Sequence, residues 1–555
     1  MSDAATFFLP DGYTIEGKKL MGRQAAGNAY LRAAVRGREG KDVWACTTSN
    51  EFGNLFAKWV KEIDAEANPR WFGPSNAKRL GEIGTLYYPS PEFAATSNMR
   101  LHFGVDRYSI CGVTHTTASH VAMDAISDIL RFPVMPWDGL ICTSTSVLRT
   151  VERLFEEEED YLGWRFGVDS VQVRPQTPVI PLGVHCDRYD FAEARRKGAR
   201  AKLNVGEDHL VVLFVGRLAF HAKAHPHAMY LALQEAHRRT GRDITLVQAG
   251  WFATEGIERG FRDGAKECCP DINCVFTDGR DQCELDDNWA AADIFISLSD
   301  NFQETFGLTP IEAMAAGIPA VVTDWDGYRD TVRDGIDGFR IPTSMPEPLV
   351  GDSFARAFEA TTLSYDYYCG VTAALISVDH AMLADRLTAL IADEDLRRRL
   401  GAAGREHARS TLDWSVIFRR YQNFWDELAT IRREDRHLFA NSNDRKPPTV
   451  SPRRTNPFWL FDYYPTRTIS RDTVFKLADG ATADSYVRLS KLGLYRFVNP
   501  HLPNREVFAA VIGQLEDGEQ SAVTMAEAVG KPLRDVLTCV SVLRKMGLVD
   551  FAAAG

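Results

Sequence analysis

Two carboxylates and two cations in this chain have the types and settings needed to move a group off a phosphate ester. Glu304 and Glu312, separated by seven residues, lie in Asn301-Phe-Gln-Glu-Thr-Phe-Gly-Leu-Thr-Pro-Ile-Glu-Ala-Met-Ala-Ala-Gly-Ile-Pro319. Arg217 and Lys223 lie in Val215-Gly-Arg-Leu-Ala-Phe-His-Ala-Lys223, directly after an apolar run. Breaking a bond to a diphosphate builds negative charge on the leaving oxygen. Fixed cations at that point stabilise the transition state more than the ground state. An arginine can grip phosphate bidentately, and a lysine supplies a point charge. Thr309, Pro310 and Glu312 fit N-cap, N1 and N3 of a capping box, and Gly317 with Pro319 fits the helix stop. The spacing predicts a short helix from Pro310, whose free N–H groups and positive dipole end suit a diphosphate.

Around these residues the chain resembles the retaining, GT-B-fold glycosyltransferases of family 4. The carriers are E-x7-E, Phe306-Gly-Leu308 and Glu312-Ala-Met-Ala-Ala-Gly-Ile-Pro319, with the Arg217 and Lys223 spacing. The likeness covers roughly residues 1 to 430 and is sharpest from 211 to 339. It implies that Glu312 binds the donor ribose hydroxyls. Glu304 would contact sugar hydroxyls or stabilise positive charge near the anomeric carbon. Backbone N–H groups of Phe306, Gly307 and Leu308, with Thr309 at the helix start, would face sugar and phosphates. Arg217 and Lys223 would hold the diphosphate leaving group, with no metal and no cofactor beyond the nucleotide-diphosphate sugar donor. By the same likeness His115, in Gly112-Val-Thr-His115, lies near the donor sugar. Gly22, in Gly22-Arg-Gln-Ala-Ala-Gly27, belongs to a glycine-rich loop before a helix, where Arg23 and Asn28 are further candidates. Arg280, in Asp278-Gly-Arg280, marks the cradle of the nucleotide base. The chain departs from the family at Ala224, where glycine is usual, at Asp324–Asp330, which replaces a shorter glycine-rich turn, and at an insertion spanning 344–378.

The elements that must position these residues are legible as α/β rhythm. Apolar runs at Val211–Val215, Ile244–Val247, Cys274–Phe276, Asp293–Leu298 and Ala320–Thr323 alternate with helix-like stretches such as Met229–Arg239 and Leu285–Ala292. Strands without polar alternation indicate a parallel sheet covered on both faces. A weaker rhythm precedes them, with strands expected at Val43–Thr47, Tyr108–Val113, Gly139–Cys142 and Val179–Pro181. The expected architecture is two doubly wound Rossmann-like domains, at 1–200 and 201–410, with ligands at the carboxyl ends of the strands. An amphipathic helix at 411–433 returns to the first domain, a basic linker spans 434–457, and a mainly α, winged-helix-like extension spans 458–555. That extension holds a weak repeat, Leu489–Phe497 and Leu543–Phe551.

Composition narrows the function classes. A net charge of −11 argues against nucleic acid as partner. From Arg505 to Phe551 five Lys or Arg face seven Asp or Glu, a net of −2, so the extension reads as a protein-contact or homodimerisation module rather than a DNA reader. The ten cysteines show no metal-site spacing, the local cluster Cys268, Cys269, Cys274 and Cys283 included, and read as reduced thiols of a cytoplasmic protein. No run of about 20 apolar residues occurs, which leaves peripheral contact as the mode of membrane association. The acceptor classes open to such an enzyme are a glycan, a lipid-linked glycan, a protein or a small metabolite. Two rival readings are a nucleotide-sugar epimerase and a non-catalytic GT-B scaffold acting through its tail.

Overall fold

The computed structural model describes residues 3–14, 22–76, 78–167, 173–441, 448–496, 498 and 501–552. The chain forms two compact units, Met1–Ser451 and Pro452–Gly555.

The first unit contains two six-stranded parallel sheets. One comprises β1 (Ala5–Phe8), β2 (Asp42–Thr47), β3 (Asn68–Phe72), β4 (Thr85–Tyr87), β5 (Ser109–Val113) and β6 (Gly139–Ile141), in the order β3-β2-β1-β4-β5-β6. The other comprises β7 (Leu210–Val215), β8 (Ile244–Gly250), β9 (Asn273–Asp278), β10 (Ile294–Ser297), β11 (Ala320–Thr323) and β12 (Gly338–Ile341), in the order β12-β11-β10-β7-β8-β9. The two orders are equivalent, and each reverses direction once: between β1 and β4, and between β7 and β10. All residues of β7, β10 and β11 are buried, as strands covered by helices on both faces must be.

Val179–Pro181 makes only an isolated bridge, Cys142 with Val179, instead of the expected strand. Pro178 and Pro181 remove the donors a ladder needs. The helix Trp414–Asn441 returns to the first sheet. Tyr421 and Trp425 lie against Tyr87 at ring distances of 5.9 and 6.2 Å, and Arg432 donates to the Gly84 carbonyl at 2.7 Å. It runs past residue 434, where the linker was expected to begin. The expected insertion is bracketed by an antiparallel pair, β13 (Thr343–Ser344) and β14 (Ser377–Val378), and carries helices Asp352–Glu359 and Tyr365–Ala373.

The second unit packs helices Arg505–Glu516, Ala522–Val529 and Leu533–Lys545 around a core that includes Phe475, Val511, Met525 and Val540. A three-stranded antiparallel sheet, β15 (Val474–Leu477), β16 (Gln520–Ser521) and β17 (Val549–Phe551), has β15 at its centre. The sequence repeat is not a structural one. The Leu543 copy ends a helix, turns at Gly547 (φ 73°) and enters β17. The Leu489 copy leads from one helix into a second, Gly493–Arg496, and Phe497 lies outside the described residues.

Candidate active site

At the reversal between β7 and β10, where open α/β sheets bind their ligands, the loops at the carboxyl ends of the strands carry the charged segments. The loop after β7 carries Arg217 and Lys223; the loop after β10 carries Glu304. The Lys223 ammonium forms an ion pair with the Glu304 carboxylate, and their side chains keep 20% and 11% of their surface exposed. A layer of hydrogen bonds fixes the two loops together. The Lys223 carbonyl accepts from Asn301 Nδ2 at 2.7 Å and from Ser299 Oγ at 3.1 Å. The Ala222 carbonyl accepts from Gln303 Nε2 at 3.0 Å and from the Arg217 guanidinium at 3.3 Å. The Trp325 indole donates to the Asn301 carbonyl at 3.0 Å and stacks on Phe302. Two cations and a carboxylate therefore share one rigid turn cluster.

The helix that follows is Leu308–Ala315, and its N-cap is Gly307, not Thr309. Gly307 has φ 80°, and a Cβ there would lie 1.9 Å from the Tyr328 ring, so the turn must be made at this glycine. With the cap moved up, the expected capping box does not form. Thr309 Oγ1 is buried with no hydrogen-bond partner. Glu312 instead meets the Tyr189 hydroxyl. Burial raises the Glu312 carboxyl, against the Tyr189 hydrogen bond and the charges of Arg188 and Lys223. Tyr189 and Arg188 carry no local signal in the sequence; they follow the connection between the sheets in a short 3-10 turn, Cys186–Tyr189.

The first sheet supplies the opposite wall. His115 follows β5. Its Nε2 lies 3.1 Å from the Pro89 carbonyl, and burial, reinforced by the charge of Arg23, pushes the imidazole down to about 4. The ring is neutral at pH 7. A carbonyl only accepts, so Nε2 holds the proton and Nδ1 is an acceptor. The Thr305 hydroxyl donates to the His115 carbonyl at 2.8 Å, joining this loop to the Glu304 loop. Ser144 donates to Asp326 Oδ1 at 2.9 Å, and the Thr145 amide donates to Asp330 Oδ2 at 2.5 Å. The Asp324–Asp330 turn thus binds the start of the helix Thr145–Phe166, where negative charge is favoured. Asp326 has φ 40°, and burial pushes its carboxyl up to about 7, with the neighbouring Glu304 charge adding to the shift. The insertion also reaches this wall. The Phe358 ring lies tilted against His120 with ring centres 3.7 Å apart, and Tyr365 lies beside Thr116, Cys369 and Arg217.

Glu304, Lys223, Arg217, Glu312, Phe306, Gly307, Leu308 and Thr309 thus lie on neighbouring segments after β7 and β10, joined to the His115 loop through Thr305. Two expected residues stand in different local settings from those expected. Gly22 is the exposed first residue of the helix Gly22–Gly37 and not part of a loop before it; residues 15–21 lie outside the described residues. Arg280 pairs with Asp278 at 2.7 Å at the exposed end of β9, the edge strand. Asp326, Tyr189 and Tyr365 are the site-lining residues that sequence reasoning missed.

Known proteins resemble this chain over part of its sequence and in its fold. Residues 195–352 match the family model for glycosyl transferases group 1. A D-inositol 3-phosphate glycosyltransferase of Streptomyces bingchenggensis is 32% identical over 202 residues, covering 34% of this chain and 41% of that protein. A phosphatidyl-myo-inositol mannosyltransferase of Mycobacterium leprae is 34% identical over 127 residues, covering 23% of this chain and 25% of that protein. The chain therefore spans less than half the length of either relative. Anabaena HepE in complex with UDP superposes with a TM-score of 0.50 at 14% identity, over 77% of this chain and 100% of HepE. Residues 195–352 are thus similar to glycosyl transferases group 1, and the chain has a GT-B fold of two Rossmann-like domains.

Proposed function

We propose that this chain is a glycosyltransferase that moves a sugar from a nucleotide-diphosphate donor to an acceptor hydroxyl with retention at the anomeric carbon, without a metal. The observation that carries the reading is the Lys223–Glu304 pair at the strand reversal, next to the start of the helix Leu308–Ala315. Here the ammonium and Arg217 are set to neutralise the diphosphate as the glycosidic bond breaks. Glu304 faces the sugar, where positive charge develops at the anomeric carbon. Glu312, held by Tyr189, receives the ribose hydroxyls. The acceptor hydroxyl approaches on the leaving-group face and passes its proton to the departing phosphate oxygen. His115, neutral and fixed by Pro89, serves as a hydrogen-bonding group rather than a cation. The acceptor is a glycan, a lipid-linked glycan or a protein.

A thermal-shift screen of UDP-, GDP-, ADP- and CMP-sugars identifies the donor, and product NMR reads the anomeric configuration. The reading predicts donor turnover and an unchanged anomer. An inverted product overturns retention. Sugar isomerisation without acceptor makes the chain an epimerase, and absence of any sugar-nucleotide binding makes it a scaffold.

A further inference from the structure

The second unit carries an apolar surface that the glycosyl-transfer reading does not use. In the stretch Asn456–Pro465, Phe458, Trp459, Leu460, Phe461, Tyr463 and Tyr464 are all exposed, Phe458 at 90% and Tyr463 at 95%. Exposed apolar side chains scattered singly need no explanation; six within seven positions do. The segment is not an open loop. Asn456 caps the short helix Pro457–Leu460 through its side chain, at 2.9 Å from the Phe458 amide. The Leu460, Phe461 and Tyr464 amides donate back to Asn456, Pro457 and Phe461 at 2.9, 3.0 and 3.0 Å. The backbone is thus partly satisfied from within, as a segment entering a low-dielectric layer requires. Phe461 and Tyr464 pack on one another at 5.1 Å.

Charge distinguishes the occupant. From Arg453 to Asp472 four arginines, Arg453, Arg454, Arg467 and Arg471, face two carboxylates, Asp462 and Asp472, the latter paired with Arg471 at 3.9 Å, a net of +2 in a chain of −11. Arg467 also lies over the Phe551 ring at 4.7 Å, which ties this segment to the sheet of its own unit. Trp and Tyr rings flanked by arginines are the composition of a segment lying at the headgroup level of a bilayer with anionic lipid. A protein groove would not require the local inversion of charge. We infer that the aromatic knuckle Phe458–Tyr464, with its flanking arginines, docks the protein on an anionic membrane surface.

The test is co-sedimentation of the full chain with phosphatidylcholine vesicles, with and without phosphatidylglycerol. Binding is expected only to the anionic vesicles, and it weakens as salt is raised. The double variant Phe458→Ser with Trp459→Ser abolishes it, and Arg453→Glu with Arg454→Glu weakens it about tenfold or more. All four side chains are exposed, so thermal unfolding of the variants matches wild type. Absence of vesicle binding overturns the inference, as does equal binding to neutral vesicles or binding indifferent to these substitutions. A dimer that dissociates in the Phe458→Ser, Trp459→Ser variant, without vesicle binding in wild type, assigns the knuckle to a second copy of the chain instead. Sugar-nucleotide turnover in solution is read separately, so loss of docking and loss of the glycosyl-transfer reading are distinguishable.

Discussion

The two sheets share one strand order, yet each half handles an inward ion pair in its own way. In the first half Arg100 and Asp138 are fully buried. Arg100 donates to both Asp138 oxygens and to the Tyr108 and Pro133 carbonyls. Asp138 in turn accepts the Ile110 and Met135 amides at 2.8 and 2.7 Å. Only Arg100 Nε lacks a partner. In the second half Lys223 and Glu304 remain partly exposed, and Glu304 meets only one further side chain among the described residues, the Tyr328 hydroxyl. A charged pair saturated by its neighbours is committed to the scaffold; a pair with free capacity at a crevice can exchange its partner for a ligand. The common fold positions both, and the difference in satisfaction separates support from chemistry.

The sharpest way to break that contrast is to remove one partner from each pair. Asp138→Asn leaves a buried guanidinium without its counter-charge and should cost about 3–5 kcal/mol of stability. Denaturant unfolding reads this, and a loss under about 1 kcal/mol would remove the distinction. Lys223→Ala should instead lower kcat by about 10²–10³-fold, with an unfolding midpoint close to wild type. Wild-type turnover from that variant ends the proposed role.

The contrast also explains what was legible in the sequence. β7, β10 and β11 could be read because a parallel strand buried on both faces is a continuous apolar run. β3 and β4 could not. Asn68-Pro-Arg-Trp-Phe72 is an edge strand containing a proline, and Thr85-Leu-Tyr87 is too short to show a period. Glu304 and Lys223 were legible because each lies in a local motif beside a strand. The Ser144–Asp326 contact joins residues 182 positions apart, and no local pattern encodes it. The capping box at Thr309 misled for a steric reason: the Tyr328 ring fills the space over Gly307 and fixes the turn there.

Asp326 gives a smaller, pH-dependent effect. Its carboxyl is raised on folding to about 7, mainly by burial. A raised carboxyl takes up a proton when the chain folds. Its cost is absent below the unfolded value of about 4 and grows as pH rises to about 7. Wild-type stability should therefore fall across that window. Asp326→Asn keeps an acceptor for Ser144 and tolerates φ 40°. It should be more stable than wild type at pH 8 by about 1.4 kcal/mol or more, and close to it at pH 4. Identical slopes in the two proteins would show that the carboxyl does not titrate in this range.

The smallest effect is expected where the helix Tyr365–Ala373 comes near Arg217. Tyr365 comes from this helix, and its hydroxyl lies beside Thr116, next to His115, and within the field of Arg217. Burial raises that hydroxyl, so it stays protonated; it now meets Cys369 and Thr116, and a ligand oxygen would accept its hydrogen bond in place of the Cys369 sulfur. Tyr365→Phe keeps the ring and removes the hydroxyl. One neutral hydrogen bond made alike to ground and transition state should raise KM by about two- to tenfold and leave kcat unchanged. Steady-state kinetics on a fixed donor measures it. An unchanged KM would make the insertion a structural clasp between the halves. A matched fall in kcat and kcat/KM would move Tyr365 from substrate binding into the reaction itself.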